Sequence, residues 1–138
     1  MRKLSEIYGD ICTHIKPDFP LVRCSSARTP KQMIREVEVI GRESLPAIIL
    51  FLDGMQFLKQ KPPLRKMNVT LMLVDRFHAG SEEQTLSAWE HCEKLYEYFP
   101  SEGLQLNGVF YLPEAVYVNG DSPEHDNSLF FFRLLLQQ

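Results

Sequence analysis

The chain of 138 residues contains no apolar run approaching the roughly 18 residues of a membrane span, so no bilayer-crossing helix is expected. Its start, Met1-Arg2-Lys3-Leu4-Ser5-Glu6, lacks the continuous apolar core of a secretory signal, which predicts a cytoplasmic protein. Cysteine is scarce. Cys12, Cys24 and Cys92 are an odd number at spacings that fit no zinc or redox pattern, so reduced thiols in a reducing compartment are expected. Positive charge is not in excess: 15 Lys and Arg stand against 18 Asp and Glu, a formal net charge of −3. That balance argues against a surface built throughout for nucleic acid. Reaction motifs are missing as well. No phosphate loop, no G-x-G-x-x-G and no G-x-S-x-G occurs, which leaves nucleotide binding and serine hydrolysis without support. His14, His78, His91 and His125 share no ligand spacing, and the neighbours His91 and Cys92 project in different directions from a helix. The expectation is a protein that is not an enzyme, with no cofactor and no catalytic or metal-binding residue.

What the sequence does hold is an ordinary globular complement, 44% hydrophobic and 24% charged, long enough for one core without disulfide or metal. One domain over 1–138 is expected. From Arg2 to Lys16, the residues Leu4, Ile7, Tyr8, Ile11, Cys12 and Ile15 recur at three- and four-residue steps, the stripe of an amphipathic helix. A short extended piece follows at Leu21 to Cys24. Thr29-Pro30-Lys31-Gln32 combines an N-cap, a proline at the first helical position and a glutamine three residues after the cap, so a second helix begins there. Met33, Ile34, Val37 and either Val39 or Ile40 would face inward, although the β-branched residues leave part of 36–40 open to an extended reading. Ser81-Glu82-Glu83-Gln84 is a second capping box and opens a helix to about Phe99. Its inner stripe is read as Leu86, Trp89, Cys92 or Glu93, Tyr96 and Phe99, closed by Pro100 and Gly103.

The strands are legible from two patterns. Leu45 to Leu52 is apolar at every other position in both registers, the mark of a strand covered on both faces. Asp53-Gly54 reads as a tight turn into a short return strand, Met55 to Leu58. Residues 64–76 alternate: Met67, Val69, Leu71 and Leu73 point one way, while Lys66, Asn68 and Thr70 point the other and give way to Met72 and Val74. Leu104 to Leu106, a turn at Asn107-Gly108, Val109 to Leu112 and Glu114 to Val118 complete a meander that ends in Ser128 to Leu136. The last strand is apolar on both faces around Arg133. The fold expected is α+β, a mainly antiparallel sheet with two or three helices packed on it. The apolar surplus requires either helices on both faces or cover from another subunit.

Charge is segregated along the chain. Lys59, Lys61, Arg65 and Lys66 collect around Pro62-Pro63, and Asp121, Glu124 and Asp126 share a loop with His125. The bland reading of the first is a solvated turn that guards a sheet edge, and of the second a solvated acidic turn, since its order matches no calcium loop. In a head-to-tail ring, a basic turn meeting an acidic loop would select partner and register. Two other readings stay open: a small enzyme with a metal or acid–base site near 121–126, and a nucleic-acid-binding adaptor that uses the basic turn 59–66.

The order of elements, an amphipathic N-terminal helix, an apolar strand opened by Leu-Pro-Ala-Ile-Ile-Leu, an alternating strand at 64–76, a capped helix at 81–99 and a terminal β-meander, resembles the tail-terminator or tail-completion proteins of tailed bacteriophages. The resemblance covers about Leu4 to Leu136. It implies a structural subunit whose homohexameric ring caps the tail tube, stops its polymerisation and joins it to the head. The implied partners are further copies of the chain, tail-tube protein and head connector, with DNA only as passing cargo and no membrane. The implied location is the host cytoplasm and then the virion tail. No catalytic residues belong to that role.

Overall fold

The computed structural model describes residues 1–27, 29–40, 45–76, 82–122 and 127–138. The order is α1 (Leu4–Ile15), β1 (Val22–Ser25), α2 (Pro30–Val39), β2 (Ala47–Leu58), β3 (Leu64–Arg76), α3 (Glu82–Tyr98), β4 (Leu104–Leu106), β5 (Val109–Ser122) and β6 (Asn127–Gln137). The strands form one six-stranded sheet in the order β1-β2-β3-β6-β5-β4, in which only β1 and β2 run parallel. This is a single α+β domain with a mostly antiparallel sheet. No helix among the described residues is long and apolar enough to cross a membrane.

The helices divide between the two faces. On the first face, Ile7, Ile11 and Ile15 of α1 and Ala88, Leu95 and Phe99 of the α3 segment bury against Ile48, Leu50, Met67, Val69, Leu71, Leu73, Phe132 and Leu134. On the second, Val37 and Ile40 pack with Ala47, Ile49, Phe51, Met72 and Val74. The alternation read for 64–76 is therefore correct in parity: its odd positions face one core and Met72 and Val74 the other. The Thr29 capping box also forms. The Thr29 hydroxyl accepts from the Gln32 backbone N–H at 3.3 Å, and the Gln32 side chain accepts from the Thr29 N–H at 3.3 Å. The cap settles α2 as a helix to Val39, and Ile40 rather than the exposed Val39 turns inward. The Ser81 cap lies outside the described residues.

Three expectations need correction. Asp53-Gly54 is not a turn: β2 continues through it, and the pairing with β3 shifts between Leu52 and Gly54 as a β-bulge. The long facing run of β3 supplies partners up to Leu58↔Leu64, which overrides the local turn preference. Likewise 109–112 and 114–118 belong to one strand, β5, with a register shift between Pro113 and Ala115. Finally, α3 is rotated relative to the stripe read from its large residues. Of that stripe Phe99 is buried and Cys92 packs against the core as expected, whereas Leu86, Trp89 and Tyr96 are exposed and the small Ala88 with Leu95 completes the face toward the sheet. A small residue lets the helix backbone approach the sheet, and 88, 95 and 99 satisfy the same helical period.

The Asn107-Gly108 turn is as read. Both residues have positive φ, +48° and +79°, as a two-residue hairpin turn between β4 and β5 requires.

Candidate functional site

The basic turn is the five-residue link between the last β2–β3 pair, Leu58↔Leu64, and Lys59 to Pro63 are all exposed. Lys66 is half-buried opposite Gln56. Arg65 separates from these. It is only 7% exposed, one guanidinium nitrogen donates to the Arg2 carbonyl at 2.5 Å, and the group lies 6.0 Å over the Phe57 ring. Its backbone exchanges two hydrogen bonds with Gln138, at 2.8 and 3.0 Å. Arg65 thus ties Arg2 and Gln138 to β3, and the exposed basic group reduces to Lys59 and Lys61, with Lys66 half-buried beside them.

Asp121 lies in β5, paired with Ser128, whereas Glu124 and Asp126 lie outside the described residues, as does His125. The two charged segments do not meet within one chain. β3 runs from the basic turn to the pair Arg76↔Asn127 beside the acidic one, and its 13 residues at about 3.3 Å each separate the two by roughly 40 Å.

Beside the basic turn the sheet is open. β1 pairs with β2 only from Ile48 to Phe51, so among the described residues no strand covers the outer side of Leu52 to Leu58. On the first face this border adjoins an apolar cavity of about 240 Å³ under α1, lined by Leu4, Ile7, Tyr8, Leu52, Met67 and Val69 among others. Met55 and Phe57 stand opposite Met67 and Arg65 on that same face and are 45% and 58% exposed. The opposite border resembles it in one respect: β4 pairs with β5 only from Val109 to Tyr111, leaving the outer side of β5 beyond Tyr111 without a strand among the described residues.

The nearest approach to catalytic geometry was not legible in the sequence. His91 Nδ1–H donates to Asp75 Oδ2 at 2.6 Å, at the edge of a polar cleft of about 420 Å³ that Leu45, Pro46, Glu83, Gln84 and Ser87 complete. Asp75 ends the apolar half of β3 and His91 sits mid-helix, 16 residues on, so no spacing rule joins them. A buried carboxylate that fixes an imidazole tautomer is the rear half of a catalytic triad. Among the described residues no nucleophile hydrogen-bonds to His91; Ser87, one turn before it, makes no hydrogen bond to it. The pair clamps α3 to the end of β3. Thiol chemistry has no better footing, because burial raises the Cys12 and Cys92 thiols above the ordinary range, opposite to an activated nucleophile. Burial likewise pushes Tyr8 up to about 12, with its hydroxyl donating to the Val22 carbonyl at 2.9 Å. It does the same for Tyr98, whose hydroxyl donates to Asp18 at 2.5 Å. His14 Nε2 bonds the Tyr98 carbonyl at 2.8 Å, a structural role. Among the described residues no three His, Cys, Asp or Glu side chains group as a metal site.

Compared with protein-family models and with curated proteins, the chain matches none.

Proposed function

We propose that the chain is a structural ring subunit of a phage tail, a tail-completion protein that caps the tube, stops its growth and joins it to the head. The observation that carries this reading is that the sheet has two unlike borders, each covered among the described residues by a short strand. The one at β2 is apolar and basic, and the one at β5 leads to the acidic segment. Unlike borders on one subunit suit heterologous contacts, which close into a ring when the rotation allows, a hexamer in the family it resembles. The order of elements, the α+β sheet and the exposed apolar residues of β2 and α3 agree with a part made to be covered by other subunits. A DNA adaptor is weaker, since burial of Arg65 and half-burial of Lys66 leave two fully exposed lysines for the phosphate backbone.

The test is deletion of the gene from the phage or prophage that carries it. Particles should then bear tails of uncontrolled length without heads, visible by electron microscopy, and the chain supplied in trans should restore them. Tails of normal length joined to heads would overturn the reading.

A further inference from the structure

We infer that the outer border of β2, Leu52 to Leu58, pairs with the same border of a second copy of this chain about a twofold axis through Gln56. The inference does not rest on the ring reading: it describes the free chain, in which a closed pair occupies the border that a ring would leave for an unlike neighbour.

An unpaired strand edge presents backbone donors and acceptors that another strand completes. Chains that must stay apart guard such edges with charge along the strand. Here the guard is incomplete. The direction of the backbone groups follows from β3. Arg65 exchanges both its backbone hydrogen bonds with Gln138, just past β6, so Lys66 turns its own toward Gln56, and Met55 and Phe57 direct theirs outward. The side chains of these two residues, 45% and 58% exposed, stand on the first face, the face of the apolar cavity under α1. Outward backbone groups and exposed apolar side chains thus belong to the same positions.

Self-complementarity identifies the occupant. Two β2 edges that meet antiparallel keep their first faces on one side, and their hydrogen-bonded pairs join residues whose backbone groups both point outward. With the axis at Gln56, Phe57 of each copy stands opposite Met55 of the other, in such a pair and on the first face. A thioether then meets an aromatic ring twice in one contact. The same register brings Lys59 level with the bulged Asp53 of the other copy. Both are exposed and opposite in charge, and the hydrogen bond that the Asp53 carboxylate accepts comes from the neutral Thr70 hydroxyl. Along one strand the two lie six residues, about 20 Å, apart, so they meet only between copies. The twofold relation forms that ion pair at both ends of the contact, as an isologous interface requires. Moving the axis by one residue breaks the fit: at Met55 it sets Phe57 against Asp53, and at Phe57 it sets Met55 against Lys59.

Sedimentation of the wild-type chain should show a monomer–dimer equilibrium. Gln56 is exposed, so Gln56→Cys, placed in a Cys24→Ser chain to remove the exposed native thiol, disturbs no packing. In the pair the two introduced thiols face each other at a non-hydrogen-bonded position, with Cα atoms roughly 4.5 Å apart, and mild oxidation should join them. Met55→Cys or Phe57→Cys alone should join at least about tenfold more slowly, because each lies about 7–8 Å from its own copy, whereas a mixture of the two should join readily. Asp53→Lys and Lys59→Glu should each self-associate about tenfold more weakly than wild type. An equal mixture of them should recover, because both ends of the mixed pair then join opposite charges. A chain that stays monomeric at roughly 1 mM, a Gln56→Cys thiol that joins no faster than that of Met55→Cys, or charge variants that fold but do not rescue one another would each overturn the inference. The cross-link needs no charge variant, so misfolding of Asp53→Lys cannot mask the result. Overlong tails on gene deletion together with a monomeric chain would remove this pair and leave the ring-cap reading standing; a dimer centred on Gln56 with normal tails would do the reverse.

Discussion

The two halves of β2 sit in opposite environments. Ala47 to Phe51 is buried throughout, paired with β1 on one side and β3 on the other, with α1 over Ile48 and Leu50 and α2 over Ala47, Ile49 and Phe51. Leu52 to Leu58 continues the same strand with Met55, Phe57 and Leu58 still apolar, yet among the described residues it is paired with β3 alone and is largely exposed. Across Phe51 the strand gains Asp53, Gly54 and Gln56 but keeps four apolar residues, while the environment changes from buried to largely exposed. Burial is thus decided by which elements arrive alongside, and the outer half keeps an apolar character that its own chain does not use.

The largest effect should come from the inner half. Ile49 is fully buried between α2 and β3, so Ile49→Ala removes three methyl or methylene groups' worth of packing and leaves a cavity. A loss of about 2–5 kcal/mol in denaturant unfolding is expected. A loss below about 1 kcal/mol would mean that the second face yields around the site, and the contrast between the halves would narrow.

That contrast also shows what the sequence could reveal. The two-sided apolar pattern of 46–52 gave the fully covered half of β2, and the alternation of 64–76 gave the parity of β3, because both are short-range consequences of the pleat. The capping box at Thr29 and the turn at Asn107-Gly108 were legible for the same reason: the groups involved lie within three residues of each other. Asp53-Gly54 misled because a turn dipeptide and a bulge draw on the same residues, and only the partner strand separates them. On α3 the bulky Leu86, Trp89 and Tyr96 suggested the wrong face, since two stripes satisfied the helical period and the small Ala88 carried no visible preference. Of the candidate site, the two charged segments were found, but not that Arg65 is drawn inward by Arg2 and Phe57. The Asp75–His91 pair left no signal because it joins a strand end to a helix centre.

Acidification should sharpen the difference between the halves. The Arg2 guanidinium bonds both oxygens of Asp10, at 2.6 and 2.7 Å, and holds that carboxyl below its ordinary range, while the Arg2 carbonyl receives Arg65 beside Phe57. A folded-state value below the unfolded one makes this contribution complete above the ordinary carboxylate value of about 4. It is lost as pH falls through the folded value. Hydrogen exchange at Phe57, Leu58 and Leu64 to Lys66, corrected for intrinsic rates, should therefore accelerate on acidification, and that of Ala47 to Phe51 should change less. Asp10→Asn should remove most of the pH dependence in the outer set. Equal acceleration in both halves would show that the N-terminal tie supports the whole sheet rather than the open end.

The smallest effect is expected at Met55. Its side chain is nearly half exposed, and the strand position it occupies keeps its pairing with Met67 whatever the side chain. Met55→Ala should shift unfolding stability by no more than about 0.5 kcal/mol, the range of surface substitutions away from caps, cores and strained backbone. A cost near that of Ile49→Ala would mean that the outer half is already packed in the isolated chain, and an edge in that state has no apolar surface left to offer. A near-zero cost in unfolding combined with weaker self-association would separate the two roles of one strand: residues before the bulge serve the fold of this chain, and residues after it serve contact with the next.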